Sequence, residues 1–126
     1  MIGTCLAAAA FTVALPLQSF TLAWTHSIEK IRWEEDYRIV GQHLRLVEAR
    51  VRGHGAGMEP PEGAVLKDGA WHYRPALPDL PRLTLARSGF VADYQMCWDG
   101  ACRPMRDLVG PEDKAPVIEV FPCESP

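Results

Sequence analysis

The segment WTHSIE places an imidazole, a hydroxyl and a carboxylate almost side by side at His26, Ser27 and Glu29. Those are the residue types of a nucleophile, base and acid set. Such sets are assembled in space, however, and neighbours on an extended strand point to opposite faces. Phe20, Leu22, Trp24 and His26 share one parity, which turns the imidazole inward, away from Ser27. A buried, hydrogen-bonded histidine is the favoured reading, a ligand-binding one the next, and a hydrolase using His26 and Ser27 the remotest. No catalytic residue is assigned.

The acidic run Glu34-Glu35-Asp36 splits in the same way. Alternation puts Glu35 on the face of Trp33 and Tyr37, with Glu34 and Asp36 on the other. A carboxylate among aromatic rings needs a partner, and the expected ones are His26, Arg50 or Arg52. Downstream, Gly53-His54-Gly55-Ala56-Gly57 suggests a phosphate loop, but Met58-Glu59-Pro60-Pro61 follows instead of a helix. The dinucleotide pattern requires that helix. The glycines are better read as giving unusual backbone angles to a tight loop. Together these residues predict a polar binding cluster of His26, Ser27, Glu29, Glu35, Arg52, Gly55, Gly57 and Met58, with Trp24 and Met58 as its walls.

Four cysteines, Cys5, Cys97, Cys102 and Cys123, allow two disulfides in any of three connectivities. A two-residue turn at Asp99-Gly100 would bring Cys97 opposite Cys102 as a non-hydrogen-bonded pair, with Cα atoms ~4.5 Å apart. That leaves Cys5 with Cys123. The alternatives are four reduced thiols, or a metal site on Cys97 and Cys102. The CxxxxC spacing is looser than a zinc knuckle, and neither metal nor cofactor is assigned. Two disulfides favour a periplasmic location over a cytoplasmic one. Against this, no lysine or arginine precedes Lys30, whereas a signal peptide begins with a basic segment.

The elements that must position these groups read as short strands. The 126 residues fit a single β domain spanning the chain, with 48% apolar and 23% charged residues. A net charge of -3 without a basic cluster argues weakly against nucleic acid as a partner, and none is expected. No apolar run reaches the ~20 residues of a membrane-spanning helix. The stretch from Ile2 to Leu17 reads as a β-hairpin, with a degenerate leader as the alternative. Eleven prolines and ten glycines break the rest into pieces. Alternation marks strands at Phe20–Ser27, Trp33–Val40 and around Tyr94–Trp98, and an apolar run marks a last strand at Val117–Phe121. Between Gln42 and Arg52 the apolar parity switches from Leu44 and Leu46 to Val47, Ala49 and Val51. That predicts a β-bulge, with a short amphipathic helix as the alternative. Asp68-Gly69 and Asp99-Gly100 predict type I′ hairpin turns. The expected fold is an all-β antiparallel sandwich or small barrel of about eight to ten short strands with little helix.

The segments FTLAWTHSIEK (20–30), WEEDY (33–37), RGHGAGMEPPEGA (52–64) and CWDGAC (97–102), with the terminal cysteine, resemble the family catalogued as domain of unknown function 1850. The resemblance implies no established activity. It implies, by association, an accessory role beside tripartite transporters of the TAXI type (TRAP systems), whose subunits would be the partners. The expectation is thus a non-enzymatic accessory or binding domain. The alternatives are a small metal-binding module and, last, the hydrolase on His26 and Ser27.

Overall fold

The computed structural model describes residues 1–25, 30–52 and 62–124. Its strands are β1 (Ile2–Ala7), β2 (Thr12–Leu15), β3 (Ser19–Thr25), β4 (Arg32–Val40), β5 (His43–Arg52), β6 (Val65–Lys67), β7 (Ala70–Tyr73), β8 (Leu83–Ala86), β9 (Gln95–Trp98), β10 (Ala101–Pro104) and β11 (Val117–Glu124). One short helix, α1 (Met105–Val109), follows β10. No helix among the described residues is long and apolar enough to cross a membrane.

The strands form two antiparallel sheets. One has four strands in the order β2-β1-β11-β8, and the other has seven in the order β10-β9-β3-β4-β5-β7-β6. The architecture is the sandwich, not the barrel, with eleven strands among the described residues where eight to ten were expected. Between the sheets lies a core of Leu6, Phe20, Leu22, Leu44, Met96, Ile118 and their neighbours, closed at one end by Met105 and Val109 of the helix. Removing such side chains from water is the main favourable contribution to folding.

Local chemistry explains the elements. Asp68 and Gly69 have φ of 52° and 78°, and Asp99 and Gly100 have 51° and 77°. Positive φ at both central positions is the type I′ condition, so Lys67 pairs with Ala70 and Trp98 with Ala101. One step beyond, Leu66 stands opposite Trp71, and Cys97 opposite Cys102. The segment that opens the chain is a hairpin: β1 pairs with β2 from Ala7↔Thr12 to Thr4↔Leu15, and on its other side with β11 from Ile2↔Glu124 to Ala7↔Glu119. The leader reading of this segment is therefore overturned, because Thr4, Cys5 and Leu6 are buried between these two neighbours.

The parity switch in β5 is a bulge, and the helix alternative falls with it. Asp36 is opposite Glu48 and Tyr37 is opposite Leu46, so Val47 is the extra residue. One extra residue rotates the strand and keeps both halves of the apolar run on the core face. Leu44 before it, and Ala49 and Val51 after it, are all buried. The bulge therefore fixes which way every side chain from Glu48 to Arg52 points.

Both disulfides are formed. Cys5 is bonded to Cys123 with Cα atoms 5.8 Å apart, and Cys97 to Cys102 with Cα atoms 4.0 Å apart. Cysteines so bonded offer no thiolate, which removes the reading of Cys97 and Cys102 as metal ligands.

Candidate functional site

The two sheets differ in width, and the inner face of the wider one is not all covered by the core. Cross-strand register arranges this face in rows. One row runs Trp71, Val51, Trp33, Trp24 and on to Tyr94, which precedes β9. The next runs Tyr73, Ala49, Glu35, Leu22 and Met96. At the β9 end both rows reach the main core, where Leu22 and Met96 are members and Trp24 and Tyr94 pack at its margin. At the β7 end they leave it: Trp33, Trp71 and Tyr73 are half-buried and lie outside that cluster.

The result is an aromatic platform with one carboxylate, Glu35, among its described residues. Trp24 and Trp33, paired across β3 and β4, stack with ring centroids 6.3 Å apart and planes 8° from parallel. Tyr94 turns against Trp24 at 6.1 Å and 60°. Such offset and tilted contacts suit the ring quadrupoles. Glu35 accepts a hydrogen bond from the Tyr37 hydroxyl at 2.9 Å. Burial pushes the Glu35 carboxyl above its usual range, although the Tyr37 hydroxyl partly offsets this by stabilising the anion. The effect is mutual. Burial first, and the Glu35 charge second, raise the phenols of Tyr37, Tyr73 and Tyr94, so all three remain protonated donors near neutral pH.

The expected partnership of Glu35 with Arg50 or Arg52 is not what the structure contains. Because of the bulge, Glu34 is opposite Arg50, and both arginines point to the outer face. There Arg50 forks onto Asp36 with contacts of 2.6 and 2.7 Å and reaches Glu34 at 3.2 Å. Arg32 and Arg52 also meet Glu34, each at 3.2 Å, and Thr21 donates to Asp36 at 2.6 Å. His72 contacts Glu48 in the same layer. Burial alone would raise the Glu34 and Asp36 carboxyls. The hydrogen bonds and charges of these arginines outweigh it and hold both below the usual range. An open groove of about 820 Å³ lies on this side, bounded by Glu34, Asp36, Arg50, Trp98 and the Cys97–Cys102 hairpin. Its charged floor is a lattice of internally paired groups. The signal for this lattice was present in the sequence. Glu34 and Asp36 share a parity, as do Glu48, Arg50 and Arg52 once the bulge is counted.

Of the other residues expected at the polar cluster, His26, Ser27, Glu29, Gly55, Gly57 and Met58 lie outside the described residues. Trp24 is on the aromatic row beside Trp33. Arg52 is on the opposite face from Glu35.

The raised Glu35 carboxyl has a measurable consequence. A carboxyl that is harder to ionise when folded favours the fold most below its unfolded value, 4.5. That advantage is lost as pH rises through the higher folded value. Glu35→Gln is therefore expected to raise the melting temperature at pH 7 and to leave it nearly unchanged at pH 4. Calorimetric scans of both proteins at the two pH values test this. An equal shift at both would show that the ionised carboxylate bears no burial cost.

Residues 20–105 match the model of a family described as Domain of unknown function (DUF1850). No curated protein and no solved structure matches the chain.

Proposed function

The chain belongs to the DUF1850 family, and from that premise we propose that it is a non-enzymatic binding domain, working in the periplasm as an accessory of a TAXI-type tripartite transporter. The binding part of this reading is carried by one observation: a half-buried row of aromatic rings with one carboxylate among its described residues, Glu35, on the inner face of the wider sheet. Apolar walls with a few placed polar groups are what small-ligand sites are made of. The described polar groups also supply no activated nucleophile. The outer carboxylates are engaged by arginines, and Glu35 by a phenol. The location is supported by the two disulfides, since such bonds persist in oxidising compartments. The transporter association rests on the family resemblance.

Two experiments test it. Thiol titration of denatured, unreduced protein from its native compartment is expected to find no free thiol, and four per chain would place the protein in the cytoplasm. Affinity capture from cells carrying the neighbouring transporter is expected to enrich its permease or its binding protein. Enrichment of neither removes the transporter part of the reading.

A further inference from the structure

We infer that the Cys97–Cys102 bond is a reversible thiol–disulfide exchange site, opened by attack on Cys97 from the outer-face groove, with a dithiol protein of the Cys-x-x-Cys type as the reductant. The inference goes beyond the binding-domain reading and does not rest on it. Three observations meet at this bond. Both cysteines line the open groove of about 820 Å³, and Cys102 is exposed. Arg32 donates from Nη2 to Cys102 Sγ at 3.6 Å, while its other guanidinium nitrogens are held by Gln95 at 2.8 Å and Glu34 at 3.2 Å. In the strand order β10-β9-β3, Cys97 stands between Cys102 on one side and Thr21 on the other. A thiolate opens a disulfide by attacking one sulfur along the S–S line, from the side away from the sulfur that leaves. For Cys97 that side lies toward Thr21, which also lines the groove.

The exchange balances with the donor dithiol alone. Its thiolate attacks Cys97 Sγ, the Cys97–Cys102 bond breaks, and the electron pair leaves on Cys102 as a thiolate. Arg32 already stands beside that sulfur, and a neighbouring cation stabilises the departing charge. The second donor thiol then attacks its partner in the mixed disulfide, closes the donor disulfide and passes its proton to Cys97. Two electrons have moved from the donor to the protein. Glu34 and Asp36 border the approach, but Arg50 is forked onto Asp36, and Arg32 and Arg52 meet Glu34, so their repulsion of a thiolate is offset. The hairpin does not depend on the bond for its register, because the positive φ of Asp99 and Gly100 sets it. The two sulfurs therefore stay opposite each other and can close again. The Cys5–Cys123 bond is placed differently. Cys123 borders a smaller recess of about 340 Å³, but attack there would expel a thiolate at Cys5, which is 6% exposed. Burial opposes that charge, and it also shields Cys5 from direct attack.

The test uses the full oxidised chain, with reduced thioredoxin as the dithiol probe. Samples are quenched in acid at intervals, capped with N-ethylmaleimide and mapped by mass spectrometry. Cys97–Cys102 is expected to open at least about tenfold faster than Cys5–Cys123. Thioredoxin whose resolving cysteine is replaced by serine is expected to be found on Cys97, with Cys102 capped. The chain reduced at this bond alone should keep the circular dichroism of the oxidised chain, and oxidised glutathione should restore the bond. Arg32→Gln is expected to slow the opening about tenfold. Arg32→Lys, which keeps the charge, should recover most of that rate, and Cys5–Cys123 should open at the parent rate in both variants. The inference is overturned if the two bonds open together, if Cys5–Cys123 opens first, or if the probe is found on Cys102. It is also overturned if the chain unfolds when this bond alone is lost, or if Arg32→Gln opens as fast as the parent. The mapping on the parent needs no variant, so a misfolded Arg32→Gln protein leaves the question decidable.

Discussion

Replacing Cys5 and Cys123 together by alanine is expected to lower the unfolding free energy by about 5 kcal/mol, while the same treatment of Cys97 and Cys102 should lower it by about 2 kcal/mol. The difference comes from the length of chain each bond closes. Cys5 and Cys123 are 118 positions apart, and Cys97 and Cys102 only 5. A cross-link removes conformations from the unfolded chain in rough proportion to the logarithm of that length. The short bond ties together two residues already adjacent in the Asp99-Gly100 hairpin. The long bond ties the first strand to the last, which no local turn can do. Equilibrium urea denaturation of the two double variants, under non-reducing conditions, gives both numbers. If the Cys5/Cys123 variant is the less affected of the two, the loop argument is wrong for this protein. A domain of ordinary stability has about 5–15 kcal/mol in total, so the loss would bring a chain at the lower end of that range close to unfolding.

Arg87→Met is expected to cost about 3–5 kcal/mol, among the largest effects of any single substitution here. The Arg87 side chain is 1% exposed, and its partner Asp93 is 9% exposed. The two are joined by a fork with contacts of 2.9 and 3.0 Å. Arg87 also donates to the carbonyls of Ala115 and Gly110, both at 2.9 Å. Asp93 in turn accepts from the backbone amides of Tyr94 and Arg106 at 3.0 and 2.8 Å. Removing the guanidinium strands a buried carboxylate and leaves two carbonyls without their donor. Burial alone would raise the Asp93 carboxyl, but Arg87 and the two amides hold it below 3.8. A depressed carboxyl favours the fold above its unfolded value, and that advantage disappears as pH falls through the folded value. The destabilisation should therefore be full at pH 7 and shrink in strong acid. The double variant Arg87→Met/Asp93→Leu should recover part of the loss, because no unpaired charge remains. A cost under about 1 kcal/mol for Arg87→Met would show that the pair contributes specificity of packing and little stability.

What the sequence revealed follows from how local the physics is. The two Asp-Gly turns were readable because two adjacent residues decide the backbone angles. The Cys97–Cys102 bond followed from one of those turns, and the bulge at Val47 from a parity switch within a single strand. The location of Glu35 among aromatic rings was readable for the same reason. Its expected pairing with Arg50 or Arg52 failed although the needed fact was present: Ala49 and Val51 claim the inner face, which leaves Arg50 between them and Arg52 after them outside. Arg87 and Asp93 gave no signal, because both lie where the backbone has no period. The placement of β9 beside β3 is a long-range pairing, and no sequence pattern here encodes it. The extension of the aromatic row beyond the main core cluster follows from the unequal widths of the two sheets, a property of the whole strand order.

The Cys5–Cys123 bond also sets how the molecule answers to force. β1 and β11 are antiparallel neighbours, with Ile2 opposite Glu124 at one end of the pair. Tension applied beyond these two residues would open such a pair like a zip, one ladder step at a time, at low load. Here the peeling stops almost at once, because the covalent link lies next to the opening end. The folded body between positions 5 and 123 then carries no load at all. A pulling experiment on the oxidised chain should show almost no extension until a reductant is added, and a long single release afterwards.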